Sequence, residues 1–186
     1  MKLLCPEAEG TLLDVGSGTG YFSHRFATAG LRVTGVEPDP AMLQYAKRVT
    51  GSVTYVDGSA EQLPFSDQSF DYVAAVTSLC FVSNPVVALE SMWRVAKHGL
   101  ILGLLNRDSL LYRRKHGQGA YAGARWDTFG DVQHWARALS PAPVCLQWRT
   151  GIFLPEGSPR ARHLEKLVPS WLPWGGFLAV CLKKPL

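Results

Sequence analysis

Directly after the apolar pair Leu12 and Leu13, the chain reads Asp14, Val15, Gly16, Ser17, Gly18, Thr19, Gly20. Glycines at alternate positions let a backbone turn tightly and approach a ligand without a Cβ in the way. The residues that follow carry helical spacing, so the turn leads into a helix start, where exposed N–H groups favour a carboxylate or phosphate. Glu37 stands seventeen residues beyond Gly20, at the end of a second apolar stretch. A carboxylate there can accept hydrogen bonds from both hydroxyls of a ribose. Spacing narrows the ligand further. A dinucleotide fingerprint needs glycine at its first, third and sixth positions. Counted from Gly16, the sixth position is Tyr21, so a nicotinamide cofactor is disfavoured.

Other chemistry is poorly supported. His24, His98, His116, His134 and His163 show no cluster spacing, and Cys5, Cys80, Cys145 and Cys181 form no CxxC pair. No metal site or disulfide framework is therefore expected. His116 lies in a basic stretch and His24 on a helix surface, and both read as solvated side chains. No catalytic side chain is assigned. No apolar leader follows Met1, because Pro6 and Glu7 interrupt it. No apolar run approaches the ~20 residues of a membrane span. A reducing, cytoplasmic setting is the expectation.

Positioning Asp14 and Glu37 at the ends of two strands requires a particular scaffold. Thr11–Val15, Arg32–Val36, Val53–Val56, Phe70–Val76 and Leu100–Leu105 read as strands. Helical spacing fills the gaps at Tyr21–Ala29, Ala41–Val49 and Pro85–Ala96. Alternating strands and helices predict an α/β fold, a doubly wound and mostly parallel sheet with helices on both faces. Later, Phe129–Leu139 and Ser158–Leu167 read as helices, and Val144–Phe153 and Gly176–Lys183 as strands. No linker is visible, so residues 1–186 are expected to form a single domain. Trp171-Leu172-Pro173-Trp174 reads as a hydrophobic cap on the last strands.

Charge is unevenly distributed. Residues 1–100 carry 7 basic and 10 acidic side chains, and residues 101–186 carry 12 and 5. Arg113, His116 and Arg125 lie in residues 107–128, with Tyr112, Tyr121 and Trp126 interleaved. The segment reads as a mobile, basic insertion on the substrate side, suited to an anionic or aromatic small molecule. A solvated basic surface is the plainer alternative.

Taken together, these motifs resemble the class I S-adenosylmethionine-dependent methyltransferases, in the branch of the ubiquinone and menaquinone biosynthesis enzymes. Residues 36–43 (Val36 to Leu43) look like the family's second motif, 58–65 (Gly58 to Phe65) like its third, and 69–73 like the start of its fourth strand. Arg94 to Gly99 is similar to the segment leading into the fifth strand. The resemblance implies a Rossmann-like seven-stranded sheet with an antiparallel last strand, and S-adenosyl-L-methionine as cofactor, with S-adenosyl-L-homocysteine as product. It further implies cofactor contacts from Asp14, Gly16, Gly18, Gly20, Glu37, Pro38, Met42, Ser59, Ala60, Glu61, Val76 and Thr77. Tyr21, Arg113, His116 and Arg125 are the substrate-side candidates. Ser59 stands where the family usually has aspartate, Phe81 replaces a common histidine, and His98-Gly99-Leu100 occupies a usual Pro-Gly-Gly turn. Only ten residues precede the first strand, where relatives usually carry a covering helical segment. The reading is a methyltransferase for a small-molecule acceptor. A nucleic-acid methyltransferase and a catalytically silent cofactor-binding module are the alternatives. The nucleic-acid reading is disfavoured because Val76-Thr77-Ser78-Leu79-Cys80 carries no paired-proline or Pro-Cys motif.

Overall fold

The structure is a computed structural model that describes residues 10–49, 51–153 and 168–185. Its first half alternates β1 (Thr11–Val15), α1 (Tyr21–Thr28), β2 (Arg32–Glu37), α2 (Pro40–Val49) and β3 (Thr54–Asp57). Then follow β4 (Phe70–Val76), α3 (Pro85–Val95), β5 (Ala96–Leu105), α4 (Leu110–Lys115), α5 (Phe129–Ala136), β6 (Cys145–Gly151) and β7 (Phe177–Lys183). The seven strands form one sheet in the order β3-β2-β1-β4-β5-β7-β6. The first five are mutually parallel, and β7 runs antiparallel to both β5 and β6. The predicted helix over residues 158–167 lies outside the described residues.

Alternation along the central strands explains the layers. Leu12 and Ala74 point to one face, where they meet Leu43 and Ala46 of α2 and Phe26 of α1. Their neighbours Leu13, Val73 and Ala75 point to the other, against Leu89, Met92 and Trp93 of α3 and Trp135 of α5. Both faces are covered, which is why these strands read as continuous apolar runs. On α2 the apolar stripe is narrower than its sequence suggests: Leu43 and Ala46 are buried, while Met42 and Val49 are exposed.

Two expectations are corrected. The fifth strand begins at Ala96 rather than Leu100, because Gly99 is not a turn residue. It sits inside the strand with φ +156°, and a Cβ there would lie 2.1 Å from Leu182 O on β7. Glycine is required for the close approach of another backbone. The Trp171–Trp174 segment is also not a hydrophobic cap. The two indoles are 65% and 58% exposed. What holds this turn is backbone: Asn106 Nδ2 donates to Pro173 O and Gly175 O at 2.6 and 2.7 Å, and Thr150 Oγ1 donates to Leu172 O.

At the amino ends of the parallel strands, Asp71 accepts from Thr11 N, Thr11 Oγ1 and Lys97 Nζ at 2.7, 2.7 and 2.9 Å. The Thr11 amide, with its hydroxyl and Lys97, holds this carboxyl well below the usual carboxylate range. A lowered folded pKa adds stability that is present above the unfolded value and lost as pH falls below it. Asp71→Asn should therefore cost about 1–2 kcal/mol near neutrality. In denaturant titrations the gap between wild type and variant should close below about pH 4. A gap that stays constant down to about pH 3 would remove this account.

Candidate functional site

The carboxyl ends of β1, β2 and β4 open into a cavity of about 520 Å³. Strand order reverses between β1 and β4, and ligands of open parallel sheets bind at such a switch point. The cavity is lined by Asp14, Gly16, Gly18, Glu37, Pro38, Met42, Ser59, Ala60, Glu61, Val76 and Thr77. These are the residues named from the motifs, with one exception. Gly20 lies behind the turn, φ +85°, where a Cβ would sit 2.4 Å from Tyr55 Oη. Its glycine is required by the fold.

The glycine turn is held by bonds to β2. Gly16 N and Ser17 N both donate to Val36 O, at 2.8 and 3.0 Å. Gly18 N donates to Glu37 Oε2 at 2.7 Å, and Asp39 N donates to Glu37 Oε1 at 3.0 Å. Glu37 thus anchors the turn while its carboxylate faces the cavity. Each carboxylate oxygen has two lone pairs, so one backbone bond apiece leaves acceptor capacity. Asp39 in turn caps α2, accepting from Ala41 N and Met42 N at 2.8 and 2.9 Å.

Asp14 sits at the floor of the cavity and is buried. Ser23 Oγ donates to its Oδ2 at 2.6 Å. Burial raises its pKa to about 6, the nearby Glu37 carboxylate adds to that, and the Ser23 hydroxyl opposes it. Thr77, at the end of β4, adopts φ +56°, which is unusual for a β-branched residue. Its amide donates to Gly103 O at 2.7 Å, which fixes this conformation beside the cavity.

Fit to a nucleoside-bearing sulfonium can be judged from this chain alone. Gly18 has φ +55°, and a Cβ there would meet no protein atom within 4 Å. The space over it is therefore open rather than packed with protein, and Gly18 lines the cavity. Ser17 Oγ, on the same turn, is buried and has no hydrogen-bond partner among the described residues. Asp14, Glu37, Asp39 and Glu61 surround the cavity with carboxylates, which suits a ligand carrying positive charge. The residues present fit such a cofactor.

The substrate-side candidates separate. Tyr21 lines the cavity and is 63% exposed at its rim. Arg113 and His116 do not line it; His116 stacks against Tyr112 with ring centroids 4.7 Å apart. Arg125 is turned inward. It pairs with Asp127 at 2.7 Å and donates to Leu79 O and Val82 O. Phe81, Val82 and Ser83 also line the cavity; the sequence marks Phe81 only as standing in for a common histidine, and Val82 and Ser83 not at all. The available signal was position: they follow the carboxyl end of β4, where such a sheet places its ligands. Among the described residues, no group of three His, Cys, Asp or Glu side chains could hold a metal ion, and no helix is long and apolar enough to cross a membrane.

Comparison with known proteins agrees with this geometry. Residues 13–103 match the family model described as "Methyltransferase domain". A demethylmenaquinone methyltransferase from Renibacterium salmoninarum is 41% identical over 88 residues, covering 47% of this chain and 37% of that enzyme. A malonyl-[acyl-carrier protein] O-methyltransferase from Erwinia pyrifoliae is 38% identical over 101 residues, covering 53% and 38%. The chain thus spans well under half the length of these two relatives. A crystal structure of a SAM-dependent methyltransferase from Thermotoga maritima superposes with a TM-score of 0.78 at 29% identity, covering 99% of this chain and 86% of that one. The glycine turn and the strand-terminal Glu37 therefore lie in the matched stretch, and residues 13–103 belong to the class I S-adenosylmethionine-dependent methyltransferases.

Proposed function

We propose that this chain methylates a small-molecule acceptor that enters past Tyr21 and Phe81. The carrying observation is that residues from the glycine turn, the end of β2 and Ser59–Glu61 converge on one cavity, which the exposed aromatic side chains Tyr21 and Phe81 also line. In this reading Glu37 takes the ribose hydroxyls, and Pro38, Met42, Ser59, Ala60 and Glu61 surround the adenine. Asp14, Gly16, Gly18, Val76 and Thr77 surround the methionine portion. The bound cofactor supplies an electrophilic methyl group on a sulfonium. The chain's part is to hold the acceptor atom in line with it and to exclude water. No protein nucleophile is required, and no general base is assigned. The names of the two enzyme relatives support a small or carrier-bound acceptor.

The direct test is calorimetric titration of the wild type with S-adenosylhomocysteine and with NAD. It is followed by transfer of a labelled methyl group from S-adenosylmethionine to a panel of hydroquinones, carboxylates and amines. Binding of the first ligand and not NAD, with label appearing in a small molecule, is the expected result. Folded protein that binds neither ligand would end the proposal, and label appearing only in added RNA or DNA would redirect it.

Asp14 adds a pH signature. Its raised pKa means the folded chain holds a proton there that the unfolded chain has released, so this contribution to stability is lost as pH rises through about 6. The ammonium group of the ligand's amino-acid portion, placed beside Asp14, favours the ionised form, so binding releases that proton. Affinity for S-adenosylhomocysteine should therefore be about tenfold weaker at pH 5 than at pH 7. Asp14→Asn should flatten the profile; an unchanged profile in that variant would disprove the assignment.

A further inference from the structure

Part of the cavity wall is a single turn of chain. Leu79–Phe81 form a 3-10 turn after β4, and Phe81, Val82 and Ser83 face the cavity. Leu79 and Cys80 of this turn are buried, while Phe81 is 60% exposed and packs little. On its inner side the turn is tied to the cofactor half of the site: Ser78 Oγ donates to Val15 O at 2.6 Å. On its outer side, among the described residues, the hydrogen bonds that reach it from elsewhere in the chain come from Arg125. Arg125 N donates to Cys80 O at 2.8 Å, Nη2 to Leu79 O at 2.8 Å and Nη1 to Val82 O at 3.0 Å.

The same guanidinium is fixed from behind. Nε and Nη2 reach the two oxygens of Asp127 at 2.7 and 3.3 Å, and the Trp135 ring lies 5.1 Å from Cζ. Asp127 is buried, and its backbone is bonded into the end of β5: Asp127 N donates to Leu105 O at 2.9 Å, and Arg107 N to Asp127 O at 3.1 Å. The line of contact therefore runs from β5 through Asp127 and Arg125 to the cavity wall. Only a planar fork with several N–H groups makes this set of bonds, and a lysine ammonium cannot reproduce it.

We infer that Arg125 is a positioning residue that sets the acceptor-side wall, Phe81 to Ser83, and ties its placement to the segment spanning residues 107–127. The inference rests on the proposed function for its claim that this wall meets the acceptor. It replaces the expectation that Arg125 clamps substrate directly. The cofactor half of the cavity, built on β1 and β2, is held independently by Val36 and Glu37.

Hydrogen exchange and S-adenosylhomocysteine titration of wild type, Arg125→Lys and Arg125→Ala test this. In both variants, amides over residues 79–83 should exchange at least tenfold faster, with β1, β4 and β5 unchanged and affinity within threefold of wild type. Millimolar guanidinium chloride, but not equal sodium chloride, should restore protection of the turn in Arg125→Ala. Unchanged exchange at 79–83 overturns the inference. So does faster exchange spread evenly over the three strands, which would mark an ordinary stabilising residue. Wild-type protection in Arg125→Lys would overturn it too, because charge alone would then suffice. If Arg125→Ala does not fold, the lysine variant decides. Wild type that fails to bind S-adenosylhomocysteine defeats the proposed function, whereas the exchange pattern tests Arg125 separately.

Discussion

Glu37→Ala should weaken S-adenosylhomocysteine binding by about 3 kcal/mol, roughly a hundredfold, while the protein stays folded. The size follows from two losses. The carboxylate has acceptor capacity facing the cavity, and a hydrogen bond to a charged group is worth about 1.5–3 kcal/mol. It also accepts from Gly18 N and Asp39 N, so its removal loosens both the glycine turn and the entry to α2. Glu37→Gln is the sharper variant. Its amide NH₂ would have to face either Gly18 N–H or Asp39 N–H, donor against donor. It should bind no better than the alanine variant. Calorimetry on the three proteins measures this, with circular dichroism as the check on folding. Glu37→Ala binding within threefold of wild type would remove Glu37 from the site.

Gly16→Ala and Gly18→Ala should fail in different ways. A Cβ at Gly16 would lie 2.3 Å from Ser78 Cβ, on a backbone at φ +69°. Two constrained backbones meet there, and the Ser78 side chain is itself bonded to Val15 O. The variant should lose more than about 3 kcal/mol of stability, as overpacking and strain combine. At Gly18, with φ +55° and open space above it, only the backbone term applies, about 1 kcal/mol. Its new methyl group would instead occupy the ligand's side of the turn, so binding should fall by at least tenfold. Thermal unfolding and calorimetry together separate the two. Equal loss of stability in both variants would contradict the assignment of Gly18 to the ligand.

Much of this was legible in the chain because the relevant signals are local. Asp14, the glycines and Glu37 are close in sequence and sit at strand ends that apolar runs announce. The start of α5, whose span the sequence predicts, is held just as locally: the Thr128 side chain accepts from Asp131 N while Asp131 accepts from Thr128 N. What escaped depends on partners far along the chain. Gly99 reads as a turn until Leu182 is placed against it. Arg125 reads as a free cation until the carbonyls of Leu79 and Val82 are brought to it. Trp171 and Trp174 read as a hydrophobic cap on the last strands, yet the turn that bears them is secured through Asn106. No periodicity carries that kind of information.

The place of β7 has a consequence for the order in which the sheet is completed. It is the last of the described strands in sequence order, yet it lies between β5 and β6 and bonds to both. During synthesis from the amino end, β1 to β5 can pair as each emerges, whereas β6 lacks its sheet neighbour until β7 has emerged. Removal of Phe177–Lys183 would therefore strip the sheet of two strands, not one. The edge of β5 would be left open to whatever extended chain is nearby, so an interrupted or trimmed product is the form of this protein most exposed to aggregation.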